Sequence, residues 1–210
     1  MIASGFVHIV DDDEQALKAV KALMDSMGLE SCCYSSAETF LKSFDGRRPA
    51  CLVTDVRMLG MSGLELQERL NQLGVSISVV VLTAFASTHI AVQAMRNGAL
   101  TLMEKPCDDN ELWNAVREGL NADRERCELE RQRDAIADRL ATLTPKERQV
   151  FDLIVAGDAN KVAARKLGVS IRTVEVHRSK VFEKMEADSV AALVRMAMTL
   201  DDLNNPSSNF

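Results

Sequence analysis

The chain has 210 residues, 47% of them apolar and 27% charged, the length of one large or two small domains and a composition that excludes wholesale disorder. No apolar run approaches the roughly 18–20 residues of a membrane helix, and the acidic residues that begin at Asp11, with no basic stretch ahead of a hydrophobic core, lead us to expect no ordinary secretory signal. The net charge of −6 falls entirely in residues 1–120, while residues 160–184 carry seven bases (Lys161, Arg165, Lys166, Arg172, Arg178, Lys180, Lys184) against Glu175 and Glu183. An acidic front with a local basic stripe behind it suggests regulation in front and nucleic acid behind.

In chain order, residues 6–10 form a compact apolar run, and residues 14–27 recur at helical spacing through Ala16, Val20, Leu23 and Met27 before Gly28. A run at 31–34, a helix at 37–44 and a run at 51–54 follow. Ser62 caps a helix through 73, a β-branched run occupies 76–82, and a helix spans 88–97. A short run at 100–103 precedes a helix opening at Asp108. Five strands alternating with five helices predict a parallel sheet covered on both faces. Residues 121–140 contain neither Gly nor Pro and are dense in charge, which predicts one exposed helix coupling two domains.

Thr144-Pro-Lys-Glu147 is a helix start, with Thr as cap, Pro in the first turn and Glu closing the capping box. That helix ends at Gly157. A short helix spans 160–167, Gly168 turns the chain, and Ser170 caps a helix to about Glu186. Asp188 is expected to cap a last helix through 200, and residues 204–210 to form a frayed tail. The domains expected are 1–120, a linker at 121–141, a second domain at 142–203 and the tail. The five cysteines (Cys32, Cys33, Cys51, Cys107, Cys127) have no CxxC spacing and form no ligand pattern with the three histidines. They predict free thiols in a reducing cytosol, hence a cytoplasmic protein.

The polar residues of the front half sit at strand ends. Asp11 and Asp12 follow the first strand, Asp55 ends the third, Thr83 ends the fourth and Lys105 follows the fifth. The crevice of an open parallel sheet lies outside those carboxyl ends. Three carboxylates together repel unless a hard cation such as Mg²⁺ sits among them, and a lysine with a hydroxyl can hold an anion across it. A carboxylate in that setting is a nucleophile toward phosphorus. A phosphatase acting through an aspartyl phosphate is disfavoured, because position 57 is Arg rather than a second Asp. No P-loop or GxGxxG supports nucleotide chemistry.

Val-His-Ile-Val-Asp11-Asp12-Asp13, Val-Thr-Asp55-Val-Arg-Met, Leu-Thr83-Ala and Glu-Lys105-Pro106 resemble the receiver domain of two-component response regulators over residues 4–120. The resemblance implies a flavodoxin-like sheet of order 2-1-3-4-5, with Asp55 as the phosphoacceptor for a sensor histidine kinase. It implies Mg²⁺ on Asp11, Asp12, Asp55 and the Arg57 carbonyl, Asp11 acting mainly through water, and a phosphoryl cradle of Thr83, Ala84 and Lys105. Two positions depart from the family pattern: Leu59 replaces a usual proline, and Leu102 replaces the aromatic switch residue. A homodimer on phosphorylation, through Val92, Arg96 and Leu102, is a further implication.

The rear half resembles the LuxR-type four-helix, helix-turn-helix domain, through Leu143-Thr-Pro-Lys-Glu147-Arg, Asn160-Lys161, Leu167-Gly168-Val-Ser170 and Thr173-Val-Glu-Val-His177-Arg. Together the halves resemble a FixJ-like transcription factor, which itself is not an enzyme, acting on double-stranded promoter DNA with RNA polymerase. Helix arithmetic turns Val174, Val181 and Met185 inward, and Arg172, Glu175, Val176, Ser179 and Glu183 outward. The expected major-groove contacts are Glu175, Val176 and Ser179 to bases, with Lys161, Arg172, Thr173 and Lys180 to phosphates. An interaction module that ignores DNA, its basic stripe merely solvated, is the other reading of this half.

Overall fold

The computed structural model describes residues 5–204, so residues 205–210 of the expected tail lie outside the described residues. Two compact units divide the chain, Met1–Glu128 and Leu129–Phe210. The first holds β1 (Phe6–Val10), α1 (Glu14–Ser26), β2 (Glu30–Tyr34), α2 (Ala37–Ser43), β3 (Ala50–Asp55), α3 (Gly63–Gln72), β4 (Ser78–Thr83), α4 (Thr88–Arg96), β5 (Ala99–Glu104) and most of α5 (Asp109–Ala141). All strand pairs are parallel, in the order β2-β1-β3-β4-β5 that the sequence led us to expect.

Central strands β3 and β4 are buried at every residue, because helices cover both faces of the sheet. On one face Leu52, Val79 and Val81 pack against Phe40 of α2, Leu66 and Leu70 of α3 and Ala94 of α4. On the other, Val53, Val80 and Leu82 meet Leu17 and Met24 of α1 and Leu112, Val116 and Leu120 of α5. His8 belongs to this architecture rather than to a site. Its Nδ1 lies 3.1 Å from the Tyr34 hydroxyl, the rings of Phe6, Phe40 and Phe44 surround it, and burial pushes its pKa down to about 4.

The expected helix at 121–140 is not a separate element. It continues the helix that begins at Asp109, giving one α5 of 33 residues. Gly119 does not break it, since a side chain there would meet Cys51 Sγ at 2.9 Å and Ser78 Cβ at 3.3 Å. Glycine is what lets the helix lie this close to the sheet. Nor is the extension wholly exposed, because Asp123 and Cys127 are buried. Asp123 takes both Arg48 guanidinium donors, at 2.7 and 3.1 Å, and the Ala50 N–H at 2.8 Å.

In the second unit α6 (Pro145–Val155), α7 (Asn160–Leu167), α8 (Ile171–Lys184) and α9 (Val190–Asn204) follow the end of α5. Thr144 and Glu147 form the expected capping box, Gly168 ends α7 in the left-handed conformation and Ser170 caps α8. The start of α9 differs from expectation. Ser189, not Asp188, accepts from a helix N–H, that of Ala192 at 3.2 Å, and Asp188 instead accepts from the Ser189 hydroxyl. The core joins Val150, Phe151 and Ile154 of α6 to Val181, Met185 and Leu193.

Lys184 Nζ donates to Glu147 Oε2 at 2.6 Å and to the Thr142 carbonyl at 3.0 Å. The Lys184 bond, then the Thr144 N–H, hold the Glu147 carboxyl down at about 2 against an ordinary 4.5. A depressed carboxyl stabilises the fold fully above its unfolded value, and that contribution disappears as pH falls through its folded value. The second unit should therefore lose stability between about pH 4.5 and pH 2. Calorimetry of Glu147→Gln in the full chain should show a lower transition at neutral pH and a flatter acid dependence. An unchanged acid profile would locate the effect elsewhere.

Candidate functional site

Parallel register brings the functional residues to one end of the sheet. Asp55, last in β3, pairs with Leu82, and Thr83 pairs with Glu104 of β5, so Lys105 follows directly and Asp11 follows β1 next door. Lys105 Nζ donates to Asp11 Oδ2 at 2.5 Å and to Asp55 Oδ1 at 2.9 Å. Burial by itself lowers the lysine pKa, but the hydrogen bonds Lys105 donates to both carboxylates outweigh it and the net shift is upward. The ammonium is therefore fixed in its charged form. Asp11 and Asp55 are both only 6% exposed.

The loop after β3 is held by several groups at once. Asp55 Oδ2 accepts the Arg57 N–H at 2.5 Å, and Gly63, first in α3, has no room for a side chain, since a Cβ would lie 2.0 Å from the Asp55 carbonyl oxygen. Asp12 does not reach the lysine. Its Oδ2 accepts the Leu59 N–H at 2.8 Å, which ties the first loop to the third. Thr83 is buried with its hydroxyl accepting the Phe85 N–H at 3.3 Å, while Ala84 is exposed.

Two contributors went unread in the sequence. Glu38 of α2 accepts the Met61 N–H at 2.9 Å, and the Arg57 guanidinium lies 4.4 Å from the centre of the Phe85 ring. Phe85 stands two residues after Thr83, as Arg57 stands two after Asp55, and that shared offset was the available signal.

Two buried carboxylates share a single ammonium, so the pocket retains excess negative charge, with a third carboxylate on its rim. All the donors are hard oxygens, which suits Mg²⁺. Among the described residues no three Asp, Glu, His or Cys side chains already stand together as a metal cage, because Lys105 occupies the space between Asp11 and Asp55 and Asp12 serves the loop. By donor chemistry these residues fit the ion.

The second unit presents the expected outward face on α8. Val174, Val181 and Met185 are fully buried, whereas Arg172, Glu175, Val176, Ser179, Lys180 and Glu183 are exposed and Thr173 is half-buried. Exposed Arg172 lies 3.6 Å from Glu175. The basic stripe is smaller than its formal charge, since Lys184 is committed to Glu147 and Lys166 to Asp158 at 2.6 Å. Lys161, Arg165 and Lys180 are exposed. In the first unit Val92 and Arg96 are exposed on α4, while Leu102 on β5 is half-buried and packs against the core.

A 2-1-3-4-5 sheet with carboxylates facing a lysine at its carboxyl end defines a receiver-type α/β domain, here followed by a helical unit with a capped, outward-facing third helix. Known families match both parts: the response regulator receiver domain over residues 7–117, and the luxR family of bacterial regulatory proteins over residues 141–197. The transcriptional regulatory protein FixJ of Azorhizobium caulinodans is 43% identical over 91% of each chain, and that of Rhizobium meliloti 40% identical over 91% of this chain and 94% of its own. The solved structure of the response regulator StyR superposes with a TM-score of 0.83 at 35% identity, covering 92% of this chain and 98% of that one. The chain belongs to the FixJ-type two-component response regulators, with a receiver and a LuxR-type DNA-binding domain. Among the described residues no helix is long and apolar enough to cross a membrane.

Proposed function

We propose that the receiver takes a phosphoryl group on Asp55 from a sensor histidine kinase and that this raises the affinity of the helical domain for promoter DNA. The observation that carries the reading is Lys105 bonded to both Asp11 and Asp55 at the end of β3. An Asp55 carboxylate oxygen attacks phosphorus, the P–N bond of the phosphohistidine breaks, and an acyl phosphate forms while the imidazole leaves. Asp11, Asp12, Asp55 and the Arg57 carbonyl would hold Mg²⁺, which when bound neutralises charge on the transferring group. Lys105 would then pair with the new dianion, and Thr83 and Ala84 would complete its cradle. The proposed division is a receiver at 1–120, a connector at 121–141 and the DNA-binding domain at 142–203.

Beryllofluoride with Mg²⁺ should increase affinity for a selected promoter fragment in the wild type and leave Asp55→Asn unchanged. Equal responses would defeat the reading. We assign the phosphorylation-dependent dimer face to Val92, Arg96 and Leu102. Light scattering should show a rise in mass with beryllofluoride that Arg96→Glu reduces. RNA polymerase is the proposed downstream partner.

The helix α8 would enter the major groove, with Glu175, Val176 and Ser179 at base edges and Lys161, Arg172, Thr173 and Lys180 on phosphates. A carboxylate near DNA is unfavourable unless it accepts a hydrogen bond, and cytosine N4 is its natural donor, worth about 1–3 kcal/mol of discrimination. Glu175→Ala should relax specificity at one position per half-site while non-specific affinity holds or rises. Lys180→Ala should weaken binding to every sequence and reduce the salt slope by about one. Both are measured on specific and scrambled duplexes across a salt series. If Glu175→Ala lowers both affinities equally, α8 is oriented otherwise.

A further inference from the structure

At the amino end of the sheet, opposite the phosphoacceptor site, lies a cavity of about 170 Å³. Gln67 of α3, Asn71, Ser76 before β4, Asn97 and Gly98 before β5, and Arg126 of α5 line it. Gln67 is 1% exposed, and both its Oε1 and its Nε2 lack a hydrogen-bond partner. A buried primary amide with both ends unmet is unfavourable unless something in the cavity supplies a donor and an acceptor together. A leucine or methionine there would fill the same space without that cost.

The rest of the lining narrows what the occupant is. Arg48 holds both Asp123 oxygens, at 2.7 and 3.1 Å, so the single longer contact from Arg126 to Asp123, at 3.5 Å, leaves the Arg126 guanidinium with donors and charge to offer. Asn71 and Asn97 spend their amide N–H groups on the Asn97 and Leu64 carbonyls. The wall therefore offers one cationic fork, which matches an oxyanion, and the Gln67 amide, whose oxygen requires a donor and whose nitrogen requires an acceptor. At about 30 Å³ per water-sized group, the volume takes roughly five or six heavy atoms.

We propose that this cavity is a binding site for a small α-hydroxy carboxylate, its carboxylate on Arg126 and its hydroxyl between the amide oxygen and nitrogen of Gln67. The site is separate from the phosphoacceptor pocket and uses none of its residues. A bound ligand would join α5 to α3 and to the α4–β5 turn, which Asn71 and Asn97 already tie to α3.

The probes are glycolate and acetate, which differ by the hydroxyl, titrated into the full-length protein in magnesium-free buffer at constant ionic strength. Amide chemical shifts report the location. Glycolate is expected to saturate with shifts centred on residues 67, 71, 97, 98 and 126, and to bind several-fold more tightly than acetate. Arg126→Gln should weaken both about tenfold, as loss of a charge-assisted pair would, and Gln67→Leu should erase the preference for glycolate. No saturable shift, equal affinity for the two acids, shifts centred on Thr83 and Lys105, or full affinity in Arg126→Gln would each overturn the proposal and leave the cavity to ordered water. If Gln67→Leu fails to fold, Arg126→Gln alone decides, since its side chain is already partly in solvent.

Discussion

Replacement of Asp55 by asparagine is expected to lower phosphoryl uptake from acetyl phosphate by roughly a hundredfold or more, the scale on which removing a nucleophile acts. The amide keeps the shape of the carboxylate, and its oxygen can still accept the Arg57 N–H, now at 2.5 Å from Asp55 Oδ2. It has no charged oxygen with which to attack phosphorus. In the wild type the product should be an acid-stable, base-labile phosphate, and chelation of Mg²⁺ should suppress its formation. Removing the metal leaves the Lys105 ammonium facing two buried carboxylates and an incoming dianion. Undiminished labelling of Asp55→Asn, or labelling indifferent to chelation, would remove Asp55 from the role.

The receiver sheet was legible because its strands are short apolar runs that end in functional groups. Asp55, Thr83 and Lys105 stand at the ends of β3, β4 and β5, so strand order alone carries them together. What each side chain then bonds was not legible. Asp12 belongs by spacing with Asp11, yet its carboxylate serves the Leu59 N–H across 47 residues. Composition also misplaced a boundary. Charge density rises after residue 120, which suggested a new element, but nothing there interrupts helical hydrogen bonding and α5 runs through. Cap chemistry is legible to within a residue or so: adjacent Asp188 and Ser189 are both good caps, and the choice depended on which side chain reaches the Ala192 N–H. Gln67 reads as one more polar position of an amphipathic helix, and only the packing of α3 makes it a buried, unpartnered amide.

The second large effect is expected from Asp123, a residue that looks like one charge among many in its stretch of α5. It is wholly buried and receives the Arg48 guanidinium at two points and the Ala50 N–H at a third. The partner lies 75 residues away in sequence, on the segment leading into β3, so the pair fixes α5 beyond Leu120 against the strand that carries Asp55. Asp123→Ala takes two hydrogen bonds and a buried counter-charge from the Arg48 guanidinium and removes the acceptor of the Ala50 N–H. Breaking one side of such a pair costs about 3–5 kcal/mol, which lowers the melting temperature of a domain this size by roughly 10 °C or more. Asp123→Asn should cost less, because an amide oxygen still accepts the Ala50 N–H. Arg48→Met in the Asp123→Ala background should recover part of the loss, since it removes the charge whose buried counter-ion is gone and keeps the volume apolar. Calorimetry of the four proteins completes the cycle, and hydrogen exchange should rise first in α5 after residue 120. If Asp123→Ala shifts stability by less than about 0.5 kcal/mol, the range of ordinary surface substitutions, the pair does not hold the helix.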